Sequence, residues 1–433
     1  MLELNKVIEI LNKIKNVKVA VYGDFGIDAY WILDPDGSEI SVETRLKGEA
    51  VKEHYYKLGG ASNIVANLAS LNCASIFVIG VIGDDIFGRE ITRQFQKLGV
   101  IQEYLVIQKE NFSTVTFGKR YLEGEEKTRI DFGFFNKRSE LTNNILIEGI
   151  HHALKLYDVL IFNQQVPGSI KSKSFINQIN ALFQKFKDKI ILLDTRHYGK
   201  EIKNIYIKTN VYEAASLLRE KLNDDNFISV DNIKRYSGIL YKLFKKPVFI
   251  TRGLYGITVF DSEGFYEIPG IELLKQRDTV GAGDTTTSSL ALSLAAGESP
   301  QTSAEFANLA ATVVVQKLYK TGTASADEII ETYKNANYIY NIELSRDLKK
   351  AKYFKNTEIE LCASMDQFRG REIKHAIFDH DGTISTLRQG WEYVMEPLMI
   401  KTILGKNYNT VSESHLRQIR FSLIFQFYSE LIQ

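Results

Sequence analysis

A chain of 433 residues, 44% hydrophobic and 25% charged, has the make-up of a globular protein of two or three domains with a full core. Its 54 Lys plus Arg against 53 Asp plus Glu exclude a general polyanion binder, so no nucleic-acid partner is expected, although a local basic pocket is allowed. The two cysteines, Cys73 and Cys362, form no CxxC pair, and no stretch reads as a signal peptide or a membrane span. A disulfide framework, a structural zinc site and a membrane partner are therefore not expected, and a cytoplasmic location is.

In chain order, Leu4, Val7, Ile8, Leu11 and Ile14 recur at helical spacing and predict an amphipathic helix over residues 2–15. An apolar strand, Val17 to Tyr22, ends in Gly23-Asp24. Residues 30–57 hold short, partly alternating strands rich in charge, and residues 112–132 read the same way. Together they predict a small antiparallel sheet standing apart from the rest as a lid. Elsewhere apolar runs at 76–82, 159–162, 190–194 and 248–251 alternate with helical patterns such as 62–71, 85–98 and 173–186. This alternation predicts an α/β fold, a mostly parallel sheet covered on both faces by helices, with ligands at the carboxyl ends of its strands. The expected domains are 1–343, a charged linker over 344–372, and a further segment over 373–433 that opens on a new strand.

The strongest chemical signal is Asp278-Thr-Val-Gly-Ala-Gly-Asp284 ahead of a helix of small residues. Gly281 and Gly283 let backbone amides converge at a helix N-terminus, a ready anion site. Asp284 stands at the same spot, where a carboxylate can take a proton from an attacking hydroxyl. Taken alone, such a segment is more often a glycine turn with a helix cap.

It does not stand alone. Upstream lie, in order, Gly59-Gly60-Ala-Ser-Asn63, Asn210-Val-Tyr-Glu213 and Thr251-Arg-Gly253 with Gly256. In this order the segments resemble the signatures of the ribokinase (PfkB) carbohydrate kinases. The resemblance implies a ribokinase-like three-layer sandwich with a β lid, and transfer of a phosphoryl group from ATP, with Mg²⁺, to a sugar hydroxyl. It implies Asp284 as general base and Gly281, Ala282 and Gly283 as donors of an anion hole. Asn210 and Glu213 would organise Mg²⁺ and its waters, and Thr251, Gly253 and Gly256 would border the nucleotide. Gly59, Gly60 and Asn63 would meet the sugar.

Within that family, Gly23-Asp-Phe-Gly-Ile-Asp28-Ala-Tyr-Trp31, Arg129-Ile-Asp-Phe132 and Lys320-Thr-Gly-Thr-Ala-Ser325 resemble the D-glycero-D-manno-heptose 7-phosphate 1-kinases. Asp28 would then bind sugar hydroxyls, and Lys119, Arg120 and Arg129 on the lid are candidate cations for a substrate phosphate. Between Asn163 and Ser169 the chain departs from the Asp-Tyr-Gly-Lys-Gly type of loop of those kinases, so another sugar or polyol stays open as substrate. A homodimer through the lid is expected from its alternating Val115, Phe117 and Tyr121. A non-catalytic sugar- or nucleotide-binding regulator is the alternative on the same fold. A Rossmann dehydrogenase is disfavoured, because no GxGxxG follows the first strand.

Near the C-terminus, His375-Ala-Ile-Phe-Asp379-His-Asp381-Gly-Thr383 resembles the first motif of the haloacid dehalogenase superfamily, which pairs two aspartates with Mg²⁺. The residues after it read as the start of a helical cap, and later motifs of that family are missing. The expectation is a truncated segment in which Asp379 and Asp381 are vestigial.

Overall fold

The computed structural model describes residues 2–166, 172–197, 199–220, 230–272, 278–317, 321–335, 338–340 and 400–405. Contacts divide the chain into two units, residues 1–341 with 362–364, and 342–361 with 365–433. The elements below all belong to the first. The expected linker, Asp379 and Asp381 lie outside the described residues.

The chain opens with α1 (Leu4–Lys13), in which Val7, Ile10 and Leu11 are buried. Ile8 is 38% exposed, so the buried stripe runs through Ile10 and not through Ile8 as its spacing suggested. Next come β1 (Lys18–Gly23), β2 (Phe25–Leu33), β3 (Val51–Gly60), α2 (Ala61–Ser70), β4 (Ser75–Gly83), α3 (Ile86–Lys97) and β5 (Ile101–Gln108). Then follow β6 (Val115–Leu122), β7 (Glu125–Glu126), β8 (Ile130–Phe132), α4 (Glu140–Leu156), β9 (Val159–Gln164), α5 (Lys173–Lys185) and β10 (Ile190–Thr195). The remaining elements are β11 (Tyr206–Asn210), α6 (Val211–Leu218), α7 (Val230–Phe244), β12 (Val248–Thr251), β13 (Ile257–Phe260), β14 (Phe265–Ile268), α8 (Ala282–Ala295), α9 (Pro300–Val314) and α10 (Ala326–Asn335).

Nine strands form the main sheet in the order β14-β13-β12-β11-β10-β9-β1-β4-β5. Pairing is parallel from β12 to β5, and only β13 and β14 run antiparallel. Every residue of β9 is buried, as are all but the first of β1 and β4, which fits a sheet covered on both faces. Alternate residues of β1 serve different layers. Val19 and Val21 pack with α1, α2, α8 and α9, whereas Ala20 and Tyr22 pack with α4, α5 and α7. The result is the expected three-layer α/β sandwich.

The lid is a second sheet, ordered β3-β2-β6-β7, with β8 also on β6. It is mixed rather than antiparallel, because β2 pairs with β3 antiparallel but with β6 in parallel. The cause is connectivity: β2 continues from β1, and the chain passes through β4 and β5 before β6 enters the lid in the same direction. Val115 is buried in it, and Phe117 and Tyr121 are half-buried.

Candidate active site

The first turn of α8 brings the chemistry together. Gly281 caps the helix with φ +85°, a conformation that costs glycine little. Asp278 closes the approach by accepting the Val280 N–H at 2.9 Å. The Ala282 N–H donates back to the Thr279 carbonyl at 3.2 Å. Of the three expected anion-hole amides, this one is therefore already engaged. Those of Gly281 and Gly283 take no acceptor among the described residues.

Asp284 follows within the same turn. Asn63 Nδ2, from α2, donates to its Oδ2 at 2.7 Å. Burial raises the Asp284 carboxyl to about 7, helped by nearby Asp194 and Asp28 and opposed by the Asn63 hydrogen bond and the Lys208 ammonium. Asn63 was expected on the sugar; the structure places it on this carboxylate. Its position is fixed by Asn67, whose Nδ2 donates to the Asn63 carbonyl at 2.9 Å. Asn67 Oδ1 in turn accepts from Thr285 Oγ1 at 2.8 Å and from the Ala324 N–H at 3.3 Å.

A second polar cluster lies where β2 and β6 pair. Asp28 Oδ2 accepts from Lys119 Nζ at 3.0 Å and from Thr321 Oγ1 at 2.6 Å. Lys119 also donates to Tyr30 Oη at 3.2 Å. Burial disfavours the Lys119 ammonium, but Asp28 and Tyr30 outweigh it and hold its pKa above the usual lysine value. A side chain at Gly59 would stand 2.7 Å from Asp28 Oδ1, so glycine there leaves this second oxygen uncovered. Gly60, at φ +54°, turns the chain from β3 into α2.

The other two lid cations are tied locally. Arg120 reaches Glu49 at 2.5 Å and the Thr128 carbonyl at 3.0 Å. Arg129 forms a two-pronged contact with Asp131 at 2.7 and 2.8 Å. All three cations expected to meet a substrate phosphate thus already have a carboxylate.

At the carboxyl ends of β11 and β12, Asn210 and Thr251 are register partners. Asn210 and Glu213 form a capping box: Asn210 Oδ1 accepts the Glu213 N–H at 2.8 Å, and Glu213 Oε2 accepts the Asn210 N–H at 2.9 Å. Only Glu213 Oε1 faces outward, 4.0 Å from Arg196 Nε. Gly253 and Gly256 have φ of +60° and +83°. A side chain at Gly256 would strike the Ile268 carbonyl, so this turn requires glycine.

Residues 17–327 match the sequence family described as pfkB family carbohydrate kinase. The chain belongs to the PfkB family of carbohydrate kinases. Among curated relatives, "Bifunctional protein HldE" of Wolinella succinogenes is 29% identical over 382 residues, covering 86% of this chain and 75% of that protein. The protein of the same name from Helicobacter hepaticus is 30% identical over 329 residues, or 73% of this chain and 64% of its own length. Among solved structures, Escherichia coli phosphofructokinase-2 in complex with potassium superposes with a TM-score of 0.59 at 18% identity, covering 74% of this chain and 99% of that one. Arabidopsis thaliana ribokinase complexed with ribose and ATP gives 0.56 at 20% identity, covering 73% and 98%. These two likenesses are likenesses of fold. This PfkB kinase uses ATP as phosphoryl donor and acts on a sugar or sugar phosphate.

The structure brings together further polar groups that sequence reasoning missed. Asp194, next to last in β10, and Lys208, in the middle of β11, form a buried pair at 3.1 Å beneath α8. Arg138, just before α4, donates to Tyr22 Oη at 2.6 Å and lies over the Phe175 ring at 4.5 Å. No carboxylate pairs with it among the described residues. It lines a small recess with Tyr22, Gly23, Gly80, Phe112 and Asn136. The loop that departs from the heptose kinases starts beside this recess. Asn163 is buried there, and Asp24 Oδ2 accepts the N–H groups of Gln165 and Val166 at 2.7 and 3.0 Å.

Proposed function

We propose that this kinase transfers the γ-phosphoryl group of ATP to a hydroxyl of a sugar phosphate, with the anomeric hydroxyl of heptose 7-phosphate as leading candidate. The observation that carries the reading is Asp284, held by Asn63 beside two uncommitted amides at a helix N-terminus. Asp284 takes the proton of the attacking hydroxyl, and the Gly281 and Gly283 amides receive the charge of the transferring group. Asp28, left uncovered by Gly59, accepts hydrogen bonds from two sugar hydroxyls. Asn210, Thr251, Gly253 and Gly256 border the nucleotide. Such positioning and charge neutralisation are most of what phosphoryl transfer needs.

Mg²⁺ would neutralise charge on the ATP phosphates. No group of three candidate metal ligands exists among the described residues, and Glu213 has one outward oxygen. That donor set fits a hydrated ion held through water rather than a protein cage.

The motifs around Asp28 and Arg129 support heptose phosphate. Against it stand the local pairing of Lys119, Arg120 and Arg129 and the departing loop, which favour an unphosphorylated sugar or a polyol. We read Arg138 as the cation that meets the phosphate in their place. ADP release screened over sugars and their phosphates decides between the two. The expected result is turnover confined to phosphorylated acceptors, with Arg138→Gln raising their KM at least about tenfold, the loss of one charge-assisted hydrogen bond. Preference for an unphosphorylated acceptor would discard the sugar-phosphate reading.

The dimer reading also stands on the lid, though on other residues than expected. Val115, Phe117 and Tyr121 turn inward, while Ile40, Val42 and Leu46 are 64–75% exposed and would be covered by a second copy. Light scattering at micromolar concentration should give twice the chain mass, and Val42→Asp should lower it to one. A monomeric parent chain would end this reading. Among the described residues no helix is long and apolar enough to cross a membrane.

A further inference from the structure

Beneath the turn that carries Asp284 lies an ion pair that the mechanism above does not use. Lys208 and Asp194 are register partners on adjacent strands, 6% and 4% exposed. Lys208 Nζ donates to Asp194 Oδ2 at 3.1 Å. The same oxygen accepts from Thr287 Oγ1 at 2.8 Å, one turn beyond Asp284 on α8. A side chain at Gly283 would come within 3.3 Å of Lys208 Nζ, so the ammonium lies directly against the turn.

A buried ion pair is weak support for stability, because an apolar pair of the same volume often serves as well. Its use is to be found in what it faces. The groups that act on Asp284 are Asn63 from α2, Lys208 from β11, Asp194 from β10 and Asp28 from β2. Asn63 and Lys208 favour its charged form; burial and the two aspartates oppose it. Glu213, at the start of α6, acts in turn on Lys208. Without the ammonium, the balance would tip toward a protonated carboxyl that cannot accept a proton.

We propose that Lys208 and Asp194 are positioning residues for the base: Lys208 favours the ionised form of Asp284 from beneath its turn, and Asp194 holds that ammonium and, through Thr287, the first turns of α8. The inference rests on the reading of Asp284 as base. Its signature is that the two halves of one ion pair act on Asp284 with opposite sign. A pair that served only to hold the fold would leave the titration of Asp284 in place.

The test titrates the Asp284 carboxyl carbon by ¹³C NMR in the full chain labelled at aspartate, with the resonance assigned by its loss in Asp284→Asn. Lys208→Gln keeps a donor for Asp194 but removes the charge, and should move the midpoint up by about one pH unit. Asp194→Asn keeps an acceptor for Lys208 and Thr287 but removes the opposing charge, and should move it down by about as much. The acid limb of kcat/KM, measured on the best acceptor from the ADP-release panel, should follow in both variants. Midpoints that stay put, or that move in one direction together, overturn the proposal. Where Lys208→Gln does not fold, Lys208→Met replaces it, and where Asp194→Asn does not fold, Asp194→Ser replaces it; the same opposite shifts of about one pH unit are expected, and an unmoved midpoint is contradictory. The NMR midpoint needs no turnover, so full activity in Asp284→Asn would discard the base reading separately from this one.

Discussion

Asp284→Asn should lower kcat at least about a hundredfold, the contribution expected of a positioned general base. The substitution keeps size, polarity and a partner for Asn63, so nucleotide binding and fold should survive. With the carboxyl raised to about 7, the parent enzyme should lose kcat/KM as pH falls through that value. The sign of the stability effect serves as a control. A carboxylate whose folded pKa lies above its unfolded value opposes folding increasingly as pH rises from about 4 to about 7. Asp284→Asn should therefore unfold at a higher temperature than the parent at pH 8, and at a similar one at pH 4. Turnover within threefold of the parent would remove Asp284 from the mechanism.

Asp28→Ala should have the next largest effect, through two separable causes. It leaves the buried Lys119 ammonium with Tyr30 Oη as its remaining partner, and breaking such a pair costs about 3–5 kcal/mol. It also removes the acceptor for two sugar hydroxyls, raising KM about a hundredfold if each charged hydrogen bond contributes about 1.5 kcal/mol. The double variant Asp28→Ala with Lys119→Met removes the stranded charge. It should recover most of the stability but none of the sugar affinity, as read from urea midpoints and KM. Recovery of both together would make the cluster a structural one, with no contact to the sugar.

What was legible in the sequence was what lies close along the chain. The Gly-Ala-Gly-Asp segment was legible as a glycine turn running into a helix of small residues, and that helix starts at Ala282. The sheet was legible because its inner strands are unbroken apolar runs. Strand β11 was not read as a strand, since Lys208, Thr209 and Asn210 fill more than half of it. Lys208 is buried only because Asp194 reaches it from a neighbouring strand, and that pairing is written nowhere near either residue. Asn63 meets Asp284 across 221 positions, so its partner could not be read from its own segment. The lid charges show the converse. Lys119, Arg120 and Arg129 advertise a basic surface, yet carboxylates at 28, 49 and 131 cancel it once the strands pair.

The most direct test of the account is ³¹P NMR of the product formed from ATP and heptose 7-phosphate by the parent chain. The account predicts a second phosphate resonance, split by the anomeric proton, that does not form with Asp284→Asn. A new phosphate on a primary hydroxyl, or the same product from Asp284→Asn at the parent's rate, would contradict it.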